Sequence, residues 1–195
     1  MLRSVLFLAL FAFSASASAQ GFDYNYFSVG YQRVTLDDGA FDVDGDGFGI
    51  EGSFEVSESF FLTASYGMAE FEEQGITVDV DTWDAGIGWH TAMNEQLDFV
   101  ANLTYEYIDL SAAGFGSADD NGLGLGIGLR YQASDAIELN GGIDYVDYSD
   151  GGDDTVFGLG LLWGVSDSVD IGVSGEWGDD SSAYGLSGRF YFGGM

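Results

Sequence analysis

The chain has no cysteine, no proline and no lysine, and only one histidine. Without cysteine there is no disulfide, no thiolate metal site and no lipidated cysteine anchor. The lack of proline suits a chain of paired strands, where interior residues must donate their backbone N–H groups. Its four basic residues, all arginine, face 33 acids, giving a formal net charge of −29. That charge would repel nucleic-acid phosphates, so nucleic acid is excluded as a partner. No long hydrophobic run is present: the stretch 5–13 is far short of the ~18 apolar residues a spanning helix requires. Helical periodicity is also missing after residue 20. Disorder is the usual result of extreme charge, but 46% hydrophobic and 16% aromatic residues oppose it.

What the chain does contain is a strict alternation, clearest in residues 122–133, GLGLGIGLRYQA. Leu123, Leu125, Ile127, Leu129 and Tyr131 form one apolar face, and the other is glycine until Arg130. The same pattern recurs about ten times, with a complete apolar face each time and no helix or second sheet to cover it. Lipid must cover it, so the pattern predicts an all-β, transmembrane, antiparallel up-and-down β-barrel. Ten strands are expected at 24–36, 47–56, 60–71, 80–90, 97–110, 122–133, 137–148, 155–165, 169–177 and 183–192, with eight as the alternative if weak neighbours merge. Short connections alternate with longer acidic ones at 37–46, 72–79, 111–121, 149–154 and 178–182. Barrels of this kind put short turns in the periplasm and longer loops outside. Residues 1–19 read as a signal peptide, with Arg3, an apolar run and a small-residue end at Ala17-Ser18-Ala19. Residues 20–195 are then one barrel domain, exported to the periplasm and placed in the outer membrane.

The outward aromatics fall into two bands. Phe54, Phe60, Trp89, Phe99, Tyr131, Trp163 and Phe190 lie toward the short turns, while Phe48, Trp83, Tyr105, Tyr145, Phe157, Trp177 and Tyr184 lie toward the long loops. Aliphatic residues such as Ile50, Leu125 and Ile171 lie between them, matching two lipid–water interfaces. With its leader, alternating strands and aromatic-rich last strand YGLSGRFYF, the chain resembles the small outer-membrane barrels of the OmpA, OmpX and opacity-protein class. The resemblance implies outer-membrane lipid and lipopolysaccharide as surroundings and the barrel-assembly machinery as a partner in biogenesis. That machinery commonly reads a terminal aromatic residue; here Gly193-Gly194-Met195 follow Phe192.

The inward positions carry the candidate chemistry. Hairpin counting puts Arg130 beside Glu138 and Arg189 beside Asp170 as interior ion pairs. The remaining inward acids, among them Glu51, Asp84, Glu106 and Asp144, would line a channel and make it prefer cations. Interior glycines either leave a pore open or let the sheet coil tightly. One local motif, Asp42-Val-Asp44-Gly-Asp46-Gly47, resembles the start of a calcium loop. Its twelfth position is Ser53, not a bidentate Glu, so calcium binding competes with a plain solvated acidic loop, and no other cofactor is expected. Enzymes on small barrels generally need a histidine at the outer rim, whereas His90 falls at the periplasmic end of its strand. The expected protein is therefore not an enzyme but an envelope barrel with a structural or surface role; a narrow cation-preferring channel is the alternative.

Overall fold

In the computed structural model, which describes residues 16–18, 21–37, 42–73, 75–112 and 114–192, the alternation becomes twelve strands, with no helix among the described residues. Two short strands, β1 (Ser16–Ser18) and β2 (Gly21–Asp23), pair with each other. The other ten are β3 (Tyr26–Asp37), β4 (Asp42–Ser57), β5 (Phe60–Glu73), β6 (Ile76–Asn94), β7 (Leu97–Ala112), β8 (Gly116–Ser134), β9 (Ile137–Tyr148), β10 (Gly152–Ser166), β11 (Val169–Trp177) and β12 (Ser181–Tyr191). Each pairs antiparallel with its sequence neighbours, and β12 returns to β3, closing a ten-stranded barrel. The eight-strand alternative is thereby set aside. β1 falls within the stretch read as a leader; the rest of that stretch and the terminal Gly193-Gly194-Met195 lie outside the described residues.

The short-turn ends share one local design. Two-residue turns follow Ser57, Asn94, Ser134 and Ser166, and a register shift occurs just before each turn. At two of them a side-chain oxygen accepts from the backbone two residues on: Gln96 N–H donates to Asn94 Oδ1 at 2.9 Å, and Ser168 N–H to Ser166 Oγ at 3.4 Å. Such side chains stand in for a backbone turn bond, and the bulge turns the strand tightly into the next.

At the outer end the strands run further than the alternation alone indicated. The stretches read as acidic loops are mostly strand: β4 starts at Asp42, β6 at Ile76, β8 at Gly116 and β10 at Gly152. Left-handed Gly75 (φ 79°) and Gly114 (φ 86°) sit in two of the short connections that remain. The reason is that the acidic stretches also alternate. In β6, Val78 and Val80 point inward while Asp79 points out, so these residues can extend the ladder and bury an apolar face.

Polarity therefore inverts along the barrel. In the lipid band Leu123, Leu125 and Ile127 are 60%, 61% and 55% exposed, while the buried inner face holds Asp84, Thr104, Glu106, Asn140 and Asp144. Beyond the outer aromatic band the outside is acidic. Inside it, Val34, Phe71, Val80, Ile108, Val146 and Tyr148 pack into an apolar cluster, joined by Leu36, Val43, Val78 and Leu110. The rim thus buries its apolar face as a soluble protein does, while the band below exposes its own to lipid.

Candidate functional site in the barrel lumen

From the outside inward, the lumen begins with that apolar cluster, which forms a cap across it. Below the cap come the carboxylates expected to line a channel. Asp84 and Glu106 are direct cross-strand partners; Ser65 Oγ donates to Asp84, and Thr104 Oγ1 donates to Glu106 Oε1 at 2.6 Å. Asp144 reaches over β8 opposite Gly126. The interior glycines are where these side chains lie. A Cβ at Gly124 would overlap Thr104 and Glu106, one at Gly126 would overlap Asp144, and one at Gly160 would overlap Asn140. These three glycines thus admit polar side chains into the lumen.

Beside these acids lies a cavity of about 70 Å³, lined in part by Gln32, Glu51, Asn140, Ser174 and Glu176, enough for a few water molecules. The amide nitrogens of Gln32 and Asn140 have no protein partner, which is where such waters would bond.

The base of the lumen holds both interior arginines. Arg130 Nε lies 3.3 Å from Glu138 Oε1, and both residues are buried. Arg189 is the direct cross-strand partner of Asp170, but its guanidinium turns away. It donates to Ser28 Oγ at 3.0 Å and lies 3.8 Å from Glu51 Oε2. Asp170 instead accepts from Tyr191 Oη at 2.6 Å. Counting around the hairpin locates the pair in register, but partners on the adjoining strands decide where the charge goes.

The three acids of the calcium-like motif lie on β4, not in a loop. Alternate residues of a strand stand about 7 Å apart, so their carboxylates are strung along one edge and do not wrap a centre. Asp44 accepts from Arg33 at 2.9 Å and from Thr35 Oγ1 at 2.8 Å; Asp46 accepts from Tyr31 Oη, and Asp42 is exposed. The Arg33 and Thr35 hydrogen bonds hold the Asp44 carboxyl below its usual range. Among the described residues, no group of three or more His, Asp or Glu side chains is placed to hold a metal ion. Also above the aromatic band, burial pushes the inward Asp154 carboxyl up, against backbone hydrogen bonds from Asp179 and Thr155 that pull it down.

His90 points inward at the short-turn end, with Nδ1 3.0 Å from Asp98 Oδ2. Its ring is covered by Tyr24, whose centroid lies 4.0 Å away. Tyr24 itself was read only as the start of a strand. The apolar cap is legible in hindsight, because Val34, Val80, Ile108 and Val146 share the phase of the inward polar positions. A change of residue type without a change of phase is the signal.

The family described as "Outer membrane protein beta-barrel domain" matches residues 5–164, while no curated protein matches the chain. Among solved structures, the NanC porin superposes with a TM-score of 0.57 at 8% identity, covering 85% of this chain and 100% of that one. The translocator domain of the autotransporter NalP from Neisseria meningitidis gives 0.52 at 12%, covering 90% and 91%. The transport unit of the autotransporter AIDA-I from Escherichia coli gives 0.51 at 12%, covering 98% and 95%. At these identities the likeness is one of fold.

Proposed function

This chain belongs to the outer membrane protein beta-barrel domain family, and from that premise we propose that it is a non-enzymatic envelope barrel with a closed lumen, acting through its wall and outer rim. The observation that carries this reading is the apolar cap, in which Val34, Phe71, Val80 and Ile108 meet across the lumen above the acids. A packed apolar cluster across the lumen opposes passage of a hydrated ion. The non-enzymatic reading is supported by His90, which is held by Asp98 and roofed by Tyr24 at the end remote from the rim. Residues 1–19 would direct export. The outward carboxylates above the outer aromatic band would then face lipopolysaccharide phosphates, with shared divalent cations reconciling the two like charges.

The test is conductance of the refolded protein in a planar bilayer under a salt gradient. Silence from protein shown to be folded and inserted is the expected result. Discrete cation-selective steps that shift in Glu106→Gln and Asp144→Asn would instead establish the narrow cation-preferring channel.

A further inference from the structure

Glu176, on β11, is 9% exposed and lines the lumen cavity. Among the described residues, no ion pair or hydrogen bond holds its carboxyl. The charged side chains acting on it are those of Asp144 and Glu51, both of its own sign. None of the described arginines offsets it. Arg189, at the base of the cavity, donates to Ser28 and lies 3.8 Å from Glu51 Oε2, and Tyr26 Oη donates to Glu51 Oε1 at 2.7 Å. Arg130 is paired with Glu138, and Arg33 lies on the outer surface with Asp44.

The cavity wall is backed by Ile50, Val173 and Leu186, which face outward in the aliphatic band, so the cavity lies at hydrocarbon depth. An isolated carboxylate buried there must be neutralised, by a proton or by a cation. Its neighbours favour the cation. Gln32 and Asn140, 8% and 5% exposed, line the same cavity, and their amide nitrogens have no protein partner. No protein partner of those nitrogens therefore fixes which end of either amide faces the space, and a half-turn presents oxygen. Ser174 and Ser187 add hydroxyls, and the opposed inward glycines Gly30 and Gly49 leave the room. A proton would settle the charge alone, whereas a cation with its residual water would also fill the space and satisfy both amides. One carboxylate among neutral oxygens balances one positive charge and leaves the second charge of a divalent ion uncompensated.

We propose that the lumen cavity binds one monovalent alkali cation, held by Glu176 with oxygens of Gln32, Asn140, Ser174 and Ser187. The ion is taken up as the barrel folds and is the internal counter-charge that allows Glu176 to be buried ionised. The site is separate from any divalent cations at the rim. It does not require the cap to be shut, so conductance and cation binding are read independently.

The test is reversible unfolding of the full chain by denaturant in phospholipid vesicles, with sodium chloride replaced stepwise by choline chloride at fixed ionic strength. Choline keeps the rim screened, but its charge is sheathed in methyl groups and cannot take these oxygens as ligands. For one ion bound only by the folded protein, each tenfold rise in sodium above half-saturation should lower the unfolding constant about tenfold. Glu176→Gln keeps the shape and removes the charge, so its unfolding constant should be the same in either salt. Ser174→Ala should move half-saturation to higher sodium with the same limiting slope, and it carries the comparison should Glu176→Gln fail to fold. No sodium dependence in the parent protein would mean that a proton neutralises Glu176, and would overturn the site. A dependence undiminished in Glu176→Gln, or a half-saturation unmoved in Ser174→Ala, would place the ion elsewhere and overturn it equally.

Discussion

Leu125 is 61% exposed in the aliphatic band, and its surroundings decide what a charge there costs. Leu125→Arg should destabilise folding in lipid vesicles by ~2–4 kcal/mol, the cost of a mid-bilayer arginine on a barrel wall. Reversible unfolding in denaturant reads the difference, and an unchanged transition would remove Leu125 from the lipid face. On the opposite face, Arg130→Ala leaves Glu138 buried without its cation and removes the base beneath Phe22 and Tyr24. Breaking one side of a buried pair typically costs ~3–5 kcal/mol, so this variant should be among the least stable of the interior substitutions. Asp154 tests the sign of a burial effect. Its folded carboxyl holds its proton more tightly than the unfolded one, so ionisation opposes folding and stability rises as pH falls through the folded value. Asp154→Asn should therefore raise the melting temperature at pH 7 and lose that advantage near pH 4; an equal gain at both would mean that charge is not the cause.

Strand β6 (Ile76–Asn94) shows at the scale of an element why part of the fold is legible from residues alone. Between Trp83 and Trp89 its outward apolar positions alternate with Asp84, Gly86 and Gly88, so period two gives the strand, its faces and its place in lipid. From Ile76 to Asp81 the alternation continues, but with acids outside and valines inside. A run rich in Asp and Thr reads locally as a solvated loop, because nothing in the run itself reveals the apolar cluster it meets across the lumen. The same limit hides the role of Tyr24, whose hydrogen-bond partner Asp98 is 74 residues away, and the turn of Arg189 toward Ser28, 161 residues away. Hairpin counting gives the register of Arg189 with Asp170 but not that of Arg130, which stands opposite Asn140 because of the bulge before the turn and reaches Glu138 diagonally; contacts across the barrel do not follow from counting at all. The inverted segment makes its own prediction. Val80→Asn would bury an amide in the apolar cap without a partner, costing ~1–3 kcal/mol. Asp81→Asn, one residue on and outward, should change stability by less than ~0.5 kcal/mol. Comparable losses at both positions would contradict the inversion.

Across the whole molecule, the net charge of −29 is distributed very unevenly. Above the outer aromatic band, outward acids stand directly opposite one another on neighbouring strands: Asp46 with Glu70, Glu70 with Asp79, Asp81 with Asp109, Asp109 with Asp119, and Asp147 with Asp153. Among the described residues, Arg33 is the one base on this outer surface, and it is engaged by Asp44 and Asp46. Like charges directly opposed across strands destabilise a sheet, so the rim folds against its own repulsion. Exposed charges are screened over about 10 Å at 0.1 M salt and about 3 Å at 1 M, and the melting temperature should climb steadily over that range. If the rim meets lipopolysaccharide through shared divalent cations, millimolar magnesium should match the effect of far more sodium chloride in lipopolysaccharide-containing vesicles, but less so in plain phospholipid. A magnesium effect equal in both would mean simple screening. No response to either salt would mean that repulsion between the opposed carboxylates does not limit the stability of the rim.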